Sequence, residues 1–262
     1  MIISGIVFIL LLVLGVPIAF VILGASVFYF TLNPMMASTV AQRMASSLES
    51  FPLLAVPFFI VAGAAMARGG IARRLYDFAD GLVGHWHGGL AQVAVMNSLF
   101  LGAMSGSSNA DAAIDARTIA PIMRERGYSN GFASVVSAAS GAIAPIMPPS
   151  IGLIVYGLLT ETSIGRLFIG GVIPAMVITV ALLLTVRYVA KRRGYRPERE
   201  KRLPVRQIAT RARAALWALA MPILLIVGLR GGWFTPTELG AIAALYAFLV
   251  GMFIYRGFNL YE

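Results

Sequence analysis

Long apolar stretches dominate the chain, and five approach the roughly 20 residues that a helix needs to cross a hydrocarbon core of about 30 Å. They occupy residues 2–32, 51–67, 164–189, 214–229 and 239–255. The first predicts one retained helix kinked at Gly15 and Pro17, because it has no basic leader and is far longer than a signal-peptide core. Between the second and third stretches the pattern changes. Residues 68–163 are apolar on average, yet Gly, Ser, Pro and Asp interrupt them repeatedly.

Charge gives this pattern an orientation, since short cytoplasmic loops carry the excess of Lys and Arg. The basic segment 191–213 is therefore expected inside, and working backward through two spans places Arg124 and Arg126 inside; Arg68, Arg73 and Arg74, three cations just past the end of a span, are expected inside as well, as is the N-terminus. Both ends of the stretch 90–123 thus fall on one face. Its arms, 90–104 and 112–123, measure roughly 22 and 18 Å as helix at 1.5 Å per residue, too short to span. A re-entrant hairpin is predicted, with a tip of Ser105, Gly106, Ser107, Ser108, Asn109, Ala110 and Asp111.

A second interruption falls within residues 131–160, where Pro145, Pro148 and Pro149 remove three backbone donors just before Ser150. Non-helical backbone at membrane depth is tolerated only against protein or a wet cavity, so two successive polar breaks point to a transporter's substrate and ion site. Half-helix N-termini suit a carboxylate, and exposed carbonyls suit a bare cation. Hydroxyl and amide oxygens of Ser105, Ser107, Ser108 and Asn109, with carbonyls near Ser140, Gly141 and Ala144, offer hard ligands for sodium. Asp111 adds an anionic ligand or orients the tip. The same residues have plainer readings: Ser108 or Asn109 as a helix cap, Asp111 as a first-turn acid, the prolines as an architectural kink. Asp115 and Arg117 read as structural or interfacial, and His85, Trp86 and His87 as an interfacial loop rather than a proton relay.

Composition closes off other classes. Of 262 residues 59% are apolar and 12% charged, whereas soluble domains run at about 45–50% and 25%. A net charge of +10 would suit nucleic acid, but eleven of the 21 cations lie between Arg187 and Arg213, so no nucleic-acid partner is expected. There is no cysteine, and two histidines are too few for a zinc cluster. No cofactor is expected.

Residues 51–63 (FPLLAVPFFIVAG), 67–74 (ARGGIARR), 102–113 (GAMSGSSNADAA), 143–151 (IAPIMPPSI), 163–168 (SIGRLF), 192–195 (RRGY) and 234–238 (FTPTE) resemble, in order, the large membrane subunit of tripartite ATP-independent periplasmic (TRAP) transporters. The resemblance implies an all-α polytopic protein of the bacterial inner membrane with an elevator fold. It also implies a sodium-coupled secondary transporter rather than an enzyme, importing an organic acid such as a C4-dicarboxylate or sialic acid. Implied partners are a periplasmic solute-binding protein and a small membrane subunit. The first sodium site maps onto Ser105, Gly106, Ser107, Ser108, Asn109 and Asp111, and onto Ser140, Gly141, Pro145, Pro148, Pro149 and Ser150.

On this reading residues 1–88 form scaffold spans and a connector. Residues 89–160 are the transport region, with the hairpin at 90–126 and the broken helix at 131–160. Residues 161–213 hold a span and a basic arm, amphipathic through Leu203, Ile208 and Leu216. Residues 214–262 begin a second inverted repeat that another polypeptide, or further sequence, would complete. Asn109 and Asp115 depart from the small or apolar residues the resemblance leads one to expect. Two other classes compete with this reading. A truncated or non-transporting scaffold accounts for the spans but gives the breaks no purpose. An intramembrane serine hydrolase, suggested by residues 102–107 (GAMSGS), lacks a base near the serines.

Overall fold

The computed structural model describes residues 2–32, 42, 46, 49, 51–199 and 201–257, and the described residues are overwhelmingly helical, with no strand among them. Two compact units are present, Met1–Ser50 and Phe51–Glu262.

In the first unit the expected kinked span is instead a hairpin of two helices, α1 (Ile2–Val13) and α2 (Ile18–Thr31). Gly15 adopts φ +75°, donates to the Leu12 carbonyl at 3.1 Å, and is followed by a Val16 N–H to Leu11 C=O bond at 3.2 Å. This pair of bonds about a left-handed glycine is a Schellman stop, and Pro17 then begins the next helix. The chain folds back so that Ser4 and Phe8 share a hollow with Ala25 and Tyr29. At 12 and 14 residues each helix falls short of a crossing.

The second unit opens with a short 3-10 turn, Phe51–Leu54, that runs into α3 (Ala55–Arg68), followed by α4 (Ile71–Val83). The hairpin arms are α5 (Gly89–Ser105) and α6 (Ser108–Glu125), and the broken helix is α7 (Asn130–Gly141) and α8 (Ile151–Leu159). The long α9 (Ile164–Arg192) leads to the basic stretch, in which α10 (Val205–Ala214) forms. It meets α11 (Leu216–Arg230) at a bend of 66°. The described part ends with α12 (Pro236–Leu249), prolonged by a π turn, Val250–Ile254.

Among these, Phe51–Arg68, Ile164–Arg192 and Pro236–Ile254 are long and apolar enough to cross a membrane. The stretch 214–229 reaches that length only if α10 and α11 count as one bent span, so fewer crossings stand alone than the apolar pattern promised. The first and last of the three pack closely because α12 presents Gly240 to α3. A side chain there would begin 3.0 Å from Phe58 Cβ and 3.2 Å from the Ala55 carbonyl. Small residues at such a crossing let backbones approach where lipid supplies no hydrophobic drive. Thr237 Oγ1 adds a bond to the Phe51 carbonyl at 2.9 Å.

The basic arm is held by specific acids as well as by its amphipathic pattern. Arg199 and Arg211 each reach one carboxylate oxygen of Asp80 on α4, both at 2.6 Å, and Arg211 also bonds the Asp77 carbonyl at 2.7 Å. Asp80 is half-enclosed by this pairing, which makes it worth more than an isolated surface bridge. Asp80→Ala is expected to free the arm: limited proteolysis between residues 193 and 204 should accelerate several-fold, and wild-type protein in high salt should move the same way by less. An unchanged cleavage rate would show that packing alone holds the arm.

Candidate functional site

The hairpin tip is tighter than the sequence suggests. Only Gly106 and Ser107 lie between the arms, which have 17 and 18 residues rather than the 15 and 12 expected. Ser108, Asn109, Ala110 and Asp111 belong to the first turn of α6, and the cap is Ser107 itself, whose Oγ accepts from Ala110 N–H at 3.4 Å. Neither Ser108 nor Asn109 caps. A serine at this position satisfies one of the four donors left free at a helix start. Gly106 turns the chain at φ +59°, and Ser107 N–H donates to Ser105 Oγ at 3.3 Å.

The two breaks meet in space, and glycines make the meeting possible. A side chain on Gly106 would begin 2.5 Å from the Pro149 carbonyl oxygen, and one on Gly102 2.7 Å from Ala144 Cα. Gly141 faces the Ser108 carbonyl at 3.1 Å, while Gly171 of α9 lies 2.5 Å from the Ile146 carbonyl on the same measure. The segment 142–150 is thereby clasped between the hairpin and α9. Its own polar groups are partly internal. Ser140 and Gly141 carbonyls accept from the N–H groups of Ile143 and Ala144, and Ser150 Oγ donates to the Pro145 carbonyl and caps α8 through Leu153 N–H. Pro148 and Pro149 are buried and join through a cis bond, while Pro145 is half-buried. Each engaged carbonyl keeps a second lone pair for a cation.

Two carboxylates sit one helical turn apart at this junction, each 1% exposed. Asp111 Oδ1 accepts from Ser105 Oγ at 2.7 Å, while its Oδ2 is buried and without a hydrogen-bond partner among the described residues. A buried carboxylate oxygen left without a partner is costly, and with the Ser105 hydroxyl beside it this is the least satisfied polar point of the junction. Asp115, expected to be structural or interfacial, is the hub of the cluster. Asn97 Nδ2 donates to its Oδ1 at 3.3 Å, and Ser98 and Ser140 hydroxyls donate to its Oδ2 at 3.2 and 3.3 Å. It therefore ties both hairpin arms to the broken helix. Asn97 and Ser98 escaped the sequence reading, although with Gln92 they are the polar residues on an arm otherwise apolar up to Ser105. Asn109 is exposed, apart from the two acids. The serine-hydrolase reading gains no histidine here: His85 lies in the α4–α5 connection, where Trp86 Nε1 donates to its Nε2 at 3.1 Å. Burial first, then Arg202, Arg199 and Arg187, push its pKa down.

The match that decides the family covers residues 6–262, to the description "Tripartite ATP-independent periplasmic transporter, DctM component". The chain belongs to this family. Similar relatives include the sialic acid TRAP transporter permease protein SiaT of Haemophilus influenzae, 38% identical over 261 residues, covering 98% of this chain and 42% of the relative. The 2,3-diketo-L-gulonate TRAP transporter large permease protein YiaN of Escherichia coli is 39% identical, with 93% and 57% covered. The C4-dicarboxylate TRAP transporter large permease protein DctM of Pseudomonas aeruginosa is 39% identical, with 88% and 53% covered. The chain spans about two fifths to three fifths of the length of these DctM-family relatives.

Proposed function

We propose that this chain supplies the hairpin and broken-helix half of a sodium-coupled permease of the bacterial inner membrane, importing an organic acid by an elevator movement. The observation that carries this reading is the junction of the two breaks, where Gly106 meets Pro149 and the Asp111 carboxylate, bonded to Ser105 through one oxygen, keeps the other open. Sodium takes hard oxygen ligands, here Ser105, Ser107, Asp111 and carbonyls of the 140–150 segment. The acid's carboxylate is drawn to the N-terminus of α6 or α8. The basic arm faces the cytoplasm. Relatives named for sialic acid, C4-dicarboxylates and 2,3-diketo-L-gulonate share acidic cargo. A periplasmic binding protein hands the cargo over, and a small membrane subunit completes the complex. A relative named DctMQ, an isethionate permease of Oleidesulfovibrio alaskensis, supports such a pairing. Residues 89–160 are the moving region, 1–88 and 161–213 the frame and arm, and 214–262 the start of a second repeat.

The test is sodium-driven uptake of a labelled dicarboxylate or sialic acid by the assembled transporter in proteoliposomes. Asp111→Asn keeps the shape but removes a charge-assisted ligand, so the sodium concentration for half-maximal uptake should rise about tenfold or more, the factor that about 1.4 kcal/mol produces. Ser107→Ala should act in the same direction. Sodium should also protect the wild-type chain, and not Asp111→Asn, against thermal unfolding. An unchanged sodium dependence in both variants removes the site.

A further inference from the structure

Away from the carboxylate pair, an apolar groove of about 380 Å³ opens between α7 and α9. Its walls are Phe132, Val135 and Ala139 of α7 and Leu182, Val186 and Val189 of α9, and its deep end reaches Ser140. Val135 is 65% exposed, and a side chain on Gly131 would meet nothing within 4 Å, so the groove is open along α7. Arg193 lines its mouth. The same Arg193 lines a second, polar cavity of about 480 Å³ that also holds Arg126, Arg196 and Glu198. The two hollows adjoin at Arg193, one apolar and one polar, and together make an amphipathic cleft along that side chain.

Charge in that cleft is unbalanced. Glu198 is taken by Arg126 at 3.0 Å, whereas among the described residues neither Arg193 nor Arg196 pairs with a carboxylate. Arg193 is nevertheless positioned: it donates to Ser129 Oγ at 3.4 Å and lies 5.6 Å above the Phe132 ring. Stacking of Tyr195 on Tyr128, with centroids 4.4 Å apart, fixes the loop that carries these arginines.

We infer that this cleft binds one anionic phospholipid, with its phosphate at Arg193 and Arg196 and one acyl chain between α7 and α9. The dimensions favour a lipid chain. From Gly131 to Ser140 the helix rises about 14 Å, close to the roughly 15 Å of hydrocarbon in one leaflet. Spread over that length, the groove has a cross-section of roughly 30 Å². That is enough for a single hydrocarbon chain. A free phosphate would use the polar cavity and leave the groove unexplained. Anionic lipids of a cytoplasmic leaflet are drawn to such basic pockets between helices.

The full chain, reconstituted in phosphatidylcholine vesicles, is photolysed with phosphatidylglycerol bearing a diazirine on its acyl chain, and in parallel with a phosphatidylcholine of the same labelled chain. Labelled residues are then mapped by peptide mass spectrometry. The phosphatidylglycerol probe should label 131–140 and 182–189 several-fold more than the phosphatidylcholine probe, and Arg193→Ala with Arg196→Ala should abolish that excess. Gly131→Leu, which fills open space without displacing a neighbour, should reduce labelling there by both probes. Labelling at the exposed Ile173 and Val180 of α9 should stay constant in every variant, reporting an intact fold. Equal labelling by both headgroups, insensitive to the arginines, would mean ordinary boundary lipid and overturn the inference. Absence of label from the groove would mean that polypeptide covers it, and would overturn the inference equally.

Discussion

Replacing Gly106 with alanine is expected to reduce sodium-driven uptake by the assembled transporter at least tenfold. Two separate penalties act at this position. A non-glycine residue at φ +59° costs roughly 1–2 kcal/mol. The added Cβ would also start 2.5 Å from the Pro149 carbonyl oxygen and 2.9 Å from Ser150 Cα, and backbone cannot swing aside as a flexible side chain can. The tip must therefore lift from the 142–150 segment, separating the serine oxygens from the carbonyls opposite. Gly127→Ala is the matched control, because Gly127 has φ +82° but nothing within 4 Å of a new Cβ. It carries the torsional penalty without the collision and should retain most uptake. Similar losses in both variants would assign the effect to backbone strain and withdraw the docking argument.

Asp115→Ala is the change expected to destabilise the fold most. It leaves Asn97 and Ser98 without their carboxylate in a site 1% exposed, and Ser140 with only the Ser137 carbonyl at 3.2 Å. Each buried donor stranded this way costs about 1–3 kcal/mol, so a total of about 3–5 kcal/mol is expected after Ser140 redirects. In a helical chain of this size each kcal/mol lowers the thermal midpoint by about 2–4 °C, so a drop on the order of 10 °C should appear in detergent. Asp115→Asn retains one acceptor and lets the serine hydroxyls accept from the new amide. Its loss should be clearly smaller. The ordering alanine worse than asparagine checks the hub, and equal midpoints for both variants and the wild type would show that these bonds contribute nothing net.

Some of this was written openly in the chain, and some was hidden by competing signals. Pro145, Pro148 and Pro149 marked the second break correctly because three lost donors leave a helix no alternative. The tip was overextended because Ser107 to Asp111 looked like loop, when a capping serine with an acid four residues later is equally a helix start. At Leu14 to Pro17, glycine followed two residues later by proline is a stop-and-restart signal, and the expectation of a kinked span masked it. Asp115 is structural, as its place on the arm led one to expect, but its partners come from two other helices, which spacing on one helix cannot reveal. Its separation of four residues from Asp111 does put both on one face, and that was the available clue. The docking of the basic arm had a similar clue in Asp80, an acid in a chain rich in arginine.

Contact of backbone with backbone at Gly102, Gly106, Gly141 and Gly171 also limits how the protein can be altered. Where side chains interlock, a substitution on one surface can be answered by a new rotamer on the other. Here most of the facing atoms are carbonyls and α-carbons, which have no rotamers to offer. Compensating double mutants should therefore be scarce at these four positions, and a random library aimed at them would return few survivors.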